Sequence, residues 1–414
     1  MGWNVSFACH ARKIQREAKD CAEVETRFAL YRMASAISPS PLSIGPPPAI
    51  LAAKWAGSAL KAEGTFHQLS PYIGKLKSSI ASSLIAQFTQ PGDLLYDPFS
   101  GSGTVALEAW VAGRNVIAND LSPYAAVLTR AKLFPYDSLE DALDDMDGLA
   151  DEAESMAEHI DLRTVPKWVR EFFHPQTLRE TLGWTYVLRQ RRRWFLLASL
   201  MGILHHQRPG FLSFPSSHTV PYLRKKAFPP EKFPELYEYR SLAERFEAKI
   251  ERAFRRVPDL DRQITRKCFQ RSAHLLAPLE TVDAIITSPP YMRQLDYGRD
   301  NRLRLWFLGV EDSHALDQQI SPRKDAFLKL MGRCFKKWKS VLKPDRYCIL
   351  VVGDGSSELK DANLPALISQ IAISEGFVHL LDHTEVIPNE RRVRRGLTGS
   401  TSETIVILRN HALI

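Results

Sequence analysis

Residues 94–120 read "LLYDPFSGSGTVALEAWVAGRNVIAND", and this stretch decides the fold. The apolar run 94–99 is short enough for a buried strand. The glycines that follow punctuate it, and "GSGTVALEAWVAG" opens a helix that Gly113 closes. "NVIAND" (115–120) is again strand-like. Strand, glycine turn, helix and strand make a βαβ unit, which requires a parallel sheet. Gly101, Gly103 and Ala106 match the G-x-G-x-x-G/A spacing, and Asp120 falls about 20 residues on, at the end of the second strand. Glycines there let the backbone approach a ligand closely, and a carboxylate at that strand end can accept hydrogen bonds from ribose hydroxyls. A nucleoside-containing cofactor is expected.

Spacing alone leaves a dinucleotide open. The rest of the chain argues against it. Upstream, 75–88 places Leu76, Ile80, Leu84, Ile85 and Phe88 at helical spacing. Strand-like segments resume at 264–270, 282–288, 346–354, 379–387 and 403–410, with a helix (364–377) between the third and fourth. The last two read as an antiparallel hairpin. The strand at 282–288 runs into Ser288-Pro289-Pro290-Tyr291. Proline fixes φ and lacks an N–H, so the strand must end there in a rigid loop. Neither feature belongs in a dinucleotide domain.

"DPFSGSGT" (97–104) together with "SPPY" (288–291), each at its own strand end, resembles the S-adenosylmethionine-dependent amino-methyltransferases of DNA. "SPYIGKLKSSIASSL" (70–84) is similar to the family's segment beside the methionine end of the cofactor. The resemblance covers about 65–135 and 264–410. It implies an α/β, Rossmann-like methyltransferase sheet, mostly parallel, with a C-terminal antiparallel hairpin and a helical insertion. It implies S-adenosylmethionine held by Tyr72, Gly74, Asp97, Pro98, Phe99, Gly101, Gly103, Thr104, Asn119 and Asp120. Asp97 would lie near the methionine amino group and Asp120 at the ribose. The family often carries an acidic residue after the third strand, against the adenine ring. Here Gln270-Arg271-Ser272-Ala273 stand in that place, with Ser272 as the substitute.

Ser288, Pro289, Pro290 and Tyr291 would be the catalytic loop. The exocyclic amine of a base is a poor nucleophile, because its lone pair is delocalised into the ring. Acceptors on both N–H groups bias the nitrogen towards sp³ and aim the lone pair. Ser288 Oγ and the Pro289 carbonyl suit that task, and the prolines fix them beforehand. Tyr291 can stack on a base turned out of the duplex. Within the family, Ser at the first position favours cytosine N4 over adenine N6. Adenine N6 remains the alternative; an RNA guanine-N2 enzyme and an inactive binding module are further ones.

Cofactor motif, long insertion, then catalytic motif is the arrangement of the family's group in which target recognition sits between the two, so the resemblance implies target recognition there. The chain then divides into an N-terminal helix and linker (1–60), a cofactor half (61–135), a helical insertion (136–260) and a catalytic half (261–414). The insertion opens with an acidic amphipathic helix from Ser138 and reads as helical to about 260. Between Arg189 and Lys226 it holds eight basic residues and no acid, with aromatic residues interleaved. Arg191, Arg192, Arg193, Arg224, Lys225 and Lys226 are candidate phosphate contacts, as are Arg394 and Arg395 in the loop before the last strand. Arg299, Arg302 and Arg304, after the catalytic loop, fit either closure over a base or an amphipathic helix.

Composition agrees. A net charge of +8 permits double-stranded DNA as partner. A cognate restriction endonuclease acting on the same site would be a functional companion. Five cysteines, with no C-x-x-C pair, argue against a disulfide framework or zinc site and fit a reducing cytoplasm. No metal is expected. No apolar run reaches the ~18–20 residues that span a bilayer, and the N-terminal residues lack a signal-peptide pattern.

Overall fold

The computed structural model describes residues 63–217, 220–276, 278, 280–290, 295–353, 363–386 and 402–411, all within one unit of the chain, 50–414. The readings for residues 1–60, Tyr291, Arg394 and Arg395 fall outside the described residues.

In chain order, α1 (Ser78–Phe88) leads to β1 (Leu94–Asp97), α2 (Thr104–Val111), β2 (Asn115–Asn119) and α3 (Pro123–Leu133). The insertion follows with α4 (Leu139–Asp147), α5 (Ala150–Glu158), α6 (Lys167–Arg170), α7 (Pro175–Gln190), α8 (Trp194–Ile203) and α9 (Leu242–Ala253). The chain then returns through β3 (Arg266–Phe269) and β4 (Val282–Thr287). After the second motif come α10 (Tyr297–Asp300), α11 (Arg302–Phe307), α12 (Ser313–Ile320) and α13 (Lys324–Val341). β5 (Leu342–Gly353), α14 (Leu364–Ser374), β6 (Phe377–Val386) and β7 (Ser402–Asn410) complete it.

The seven strands form one sheet in the order β3-β2-β1-β4-β5-β7-β6. The first five pair in parallel, and β7 lies antiparallel between β5 and β6. This is the Rossmann-like methyltransferase sheet that the motifs imply. Strand side chains alternate between two apolar layers, as period-2 geometry requires. Leu95, Val116, Ile286, Ile349 and Ile407 face one core, with α1, α2 and α3. Tyr96, Ile117, Ile285, Cys348 and Leu408 face the other, under α13 and α14.

The insertion shares the first of these cores: Phe195, Leu200, Phe246 and Ile250 belong to the same apolar cluster as the sheet residues. Two readings of it need correction. The acidic helix breaks at Gly148 into α4 and α5; glycine is a weak helix former, and its N–H closes α4 on the Asp144 carbonyl. Between α8 and α9 the chain is not continuous helix. Residues 204–217 and 220–241 run irregularly, with an isolated antiparallel bridge between Ser216 and Leu223 and a short 3₁₀ turn at Pro234–Tyr237.

Candidate active site

The first βα turn explains its own composition. β1 ends at Asp97 and the chain must reverse into α2 within a few residues. Gly101 and Gly103 both take positive φ, 50° and 73°, a region that costs side chains with a Cβ. The two glycines have different neighbours. A Cβ on Gly101 would lie 3.4 Å from the Tyr72 ring, while one on Gly103 would lie 2.9 Å from both Cα and Oγ1 of Thr129 on α3. Gly101 therefore sets the close approach of the turn to Tyr72, and Gly103 the packing of α2 on α3.

Asp120 closes this turn from the end of β2. Its Oδ2 accepts the Gly101 N–H at 2.8 Å and its Oδ1 accepts the Ser122 N–H at 2.9 Å. Burial pushes its carboxyl up to about 6, against those backbone donors. Asn119, fully buried, donates from its side chain to the carbonyls of Pro98 and Arg271 and accepts the Arg271 N–H. It ties the β1 loop to the β3 loop.

The second motif is joined to the first by one hydroxyl. Thr287, the last residue of β4, is fully buried. Its Oγ1 accepts the Phe99 N–H at 3.1 Å and donates to Asp97 Oδ1 at 2.7 Å. Asp97 is itself 1% exposed. Burial raises its carboxyl to about 7; Thr287 and the Phe99 N–H pull it down, and Asp120 pushes it up. The next residue, Ser288, donates from Oγ to the Val351 carbonyl on β5 at 3.0 Å.

These elements line an open cleft at the carboxyl edge of the parallel strands, where open α/β sheets place their ligands. Of the residues singled out from sequence, Tyr72, Gly74, Asp97, Phe99, Gly101, Thr104, Asp120, Ser272, Ser288 and Pro290 line it. Pro98, Gly103, Asn119 and Pro289 are not among the lining residues. The sequence reading missed Lys75, Tyr297, Gln319, Ile320 and Leu330, which also line the cleft. The last three come from α12, Ser313–Ile320, and α13, Lys324–Val341, and no local pattern marks them.

The electrostatics of the cleft are lopsided. Asp97 and Asp120 have no salt-bridge partner among the described residues. Lys75 is committed elsewhere: its ammonium donates to both carboxylate oxygens of Glu63 and to the His67 carbonyl. His67 Nε2 in turn meets Glu108 Oε1 at 2.6 Å, and Lys132 lies fully buried nearby with no hydrogen bond to its amine. Burial, then Lys75, holds the Lys132 amine well below the usual lysine range.

The candidate basic residues separate into two groups. Arg191 and Arg193 are exposed, but Arg191 pairs with Glu152 at 3.1 Å and Arg193 with Asp145 at 2.8 Å. The acids missing from their own stretch of sequence come from α5 and α4. Arg192 is exposed with φ 55° in the turn before α8. Arg224 bonds Gln207 and lies over the Phe228 ring, while Lys225 and Lys226 are exposed. Arg304 turns out to be core: it is 1% exposed, donates to the Met201 carbonyl and lies over the Tyr124 ring.

Residues 69–155 match the family described as UPF0020, RMKL-like, methyltransferase domain. Among curated proteins, the type II methyltransferase M.MjaII of Methanocaldococcus jannaschii is 34% identical over 71 residues, 17% of this chain and 13% of that protein. The type II methyltransferase M.BsoBI of Geobacillus stearothermophilus is 26% identical over 276 residues, 60% of this chain and 53% of that protein. The chain thus spans about half, or less, of the length of these relatives. Among solved structures, TrmN from Thermus thermophilus aligns over 83% of this chain and 52% of that one, at 14% identity and a TM-score of 0.34. These likenesses agree with the resemblance drawn from the motifs: over 69–155 the chain is similar to a methyltransferase domain, and S-adenosylmethionine is the cofactor that likeness supports. No helix among the described residues is long and apolar enough to cross a membrane.

Proposed function

We propose that this methyltransferase acts on double-stranded DNA and transfers the methyl group to the exocyclic N4 amine of cytosine. When bound, S-adenosylmethionine supplies a methyl group activated on a sulfonium. The cleft fits such a ligand by charge. Two desolvated carboxylates without a cationic partner favour a ligand bearing an ammonium and a sulfonium, and they would repel the pyrophosphate of a dinucleotide. In this reading Asp97 holds the amino group, Asp120 accepts from the ribose, and Ser272 lies at the base.

The observation that carries the proposal is the bond from Ser288 to Val351. A serine hydroxyl has one proton and two lone pairs. With its proton given to the Val351 carbonyl, Ser288 Oγ is left as an acceptor at the edge of the cleft. An acceptor is what an amino group needs there: it takes one N–H, draws the nitrogen lone pair out of conjugation and aims it. Pro289 and Pro290 hold the loop, so the acceptor needs no reorganisation during the reaction. Tyr291 follows as the face on which a base turned out of the duplex stacks. Cytosine is preferred over adenine N6 because the motif begins with Ser. DNA is preferred because the paired motifs resemble amino-methyltransferases of DNA and the curated relatives carry the name type II methyltransferase. A cognate endonuclease is part of the same reading.

Replacing Ser288 by Ala tests the assignment. Methyl transfer is expected to fall by ~100-fold or more, the scale of one lost preorganised electrostatic contact, with cofactor affinity unchanged. A variant that loses cofactor binding, or one that keeps full activity, would show that the role is misassigned.

A further inference from the structure

The insertion carries two short paired arms, one of which touches the catalytic half of the chain. The bridge between Ser216 and Leu223 and the bond from the Ser217 N–H to the Tyr222 carbonyl, 3.0 Å, define this hairpin. Its inner side is anchored: Leu223 packs on the core, and the Ser217 carbonyl meets His205 Nδ1 at 2.9 Å. Arg302 donates to the Pro221 carbonyl at 2.8 Å, with its guanidinium over the Trp168 ring. Arg302 stands at the start of α11, in the segment that follows the second motif and contributes Tyr297 to the cleft. The second arm is thereby tied to the catalytic half of the chain and not only to the insertion.

Its outer side is unusual. Tyr222 is 53% exposed, with its carbonyl bonded to the Ser217 N–H. Arg224 is spent on Gln207 and Phe228, but Lys225 and Lys226 project to solvent, and no acidic residue occurs from Arg189 to Lys226. An exposed aromatic ring with lysines just after it has the chemistry of a base-stacking platform flanked by phosphate contacts. The Arg191–Arg193 turn lacks that chemistry, because two of its three guanidiniums are neutralised by Glu152 and Asp145.

We propose that the Ser216–Leu223 hairpin is the element that engages the nucleic acid beside the reacting base, with Tyr222 stacked on a base and Lys225 and Lys226 on adjacent phosphates. This rests on the reading of the protein as a DNA methyltransferase. It assigns the substrate-facing surface to Tyr222, Lys225 and Lys226 and withdraws it from 191–193.

The test uses the full chain with sheared duplex DNA of mixed sequence and labelled cofactor. Tyr222→Ala is expected to raise KM for DNA by about fivefold to a hundredfold, leaving KM for the cofactor and the melting temperature unchanged. Tyr222→Phe, which keeps the ring, stays close to wild type. The double variant Lys225→Ala, Lys226→Ala lowers the slope of log affinity against log salt by roughly one to two. Arg191→Ala and Arg193→Ala leave that slope unchanged. If wild-type protein methylates DNA and Tyr222→Ala does so with an unaltered KM, the hairpin inference falls and the function stands. If Tyr222→Phe is as impaired as Tyr222→Ala, stacking is not its role. If wild-type protein transfers no methyl group to DNA, the functional reading falls and takes the hairpin inference with it.

Discussion

Thr287→Val isolates the coupling between the two motifs. Valine keeps the shape of threonine and removes only the hydroxyl that spans Phe99 and Asp97. Thr287 is fully buried and Asp97 1% exposed, so the lost partner is not readily replaced by solvent. A neutral bond is worth about 1 kcal/mol net and one to a charged group about 1.5–3 kcal/mol, so the variant should lose roughly 2–4 kcal/mol of stability. The second consequence is electrostatic. The Asp97 carboxyl already sits at about 7 because of burial, and Thr287 is the strongest influence holding it down. Without that donor it rises further, and at neutral pH the carboxyl becomes largely protonated. A ligand ammonium then loses its counter-charge. Cofactor affinity measured calorimetrically near pH 7 is expected to weaken about tenfold to a hundredfold, equivalent to about 1.4–2.7 kcal/mol. The affinity should recover as pH is raised, displaced to the alkaline side of the wild-type profile. Thr287→Ser should restore both affinity and profile. A valine variant that is destabilised yet binds cofactor with the wild-type pH dependence would refute the reasoning, because the hydroxyl would then be structural and Asp97 not part of the cofactor site.

The same carboxylates set a pH dependence for the whole fold. Asp97 and Asp120 are raised in the folded protein, to about 7 and about 6, so their contribution to stability is complete below the unfolded value and is lost as pH rises through those values. The apoprotein should melt at a lower temperature at about pH 8 than at about pH 5, and the rise in Tm on adding S-adenosylmethionine should be larger at the higher pH; a gain independent of pH would count against both residues as cofactor ligands. Gly103→Ala forces a Cβ to 2.9 Å from the Thr129 backbone at positive φ and should cost about 1–3 kcal/mol in denaturant melts; an unchanged midpoint would mean α2 and α3 can separate freely. Lys132→Met removes a buried amine that has no hydrogen-bond partner and should leave Tm unchanged or raised. A fall of several degrees would show that the amine is charged and held by Glu108.

Sequence made the sheet legible because its strands carry their own signals. β1 and β2 flank a glycine turn, β4 ends in two prolines, and all seven strand positions were readable from short β-rich runs. That the strand ends meet was readable for the same reason: Asp97, Gly101, Asp120 and Ser288 lie in contiguous motifs that the sheet brings to one cleft. What sequence hid was long-range. The acid-free stretch 189–226 looks uniformly basic, yet Arg191 and Arg193 find carboxylates about 40–50 residues upstream. Arg304 looks like one charge on an amphipathic helix and is buried. Thr287 reads as one more β-branched strand residue, although its hydroxyl joins the motifs. Irregular stretches such as 204–217 and 220–241 have no period to reveal, and the hairpin there appears only when Ser216 and Leu223 are paired in space.

The acceptor of the methyl group is the property that decides the function. Wild-type protein incubated with methyl-labelled S-adenosylmethionine and duplex DNA, followed by digestion to nucleosides, reads this directly. Label in N4-methylcytosine, lost in Ser288→Ala while cofactor binding persists, is the predicted result. Label confined to N6-methyladenine or to RNA, or no transfer by protein that binds the cofactor, would contradict it.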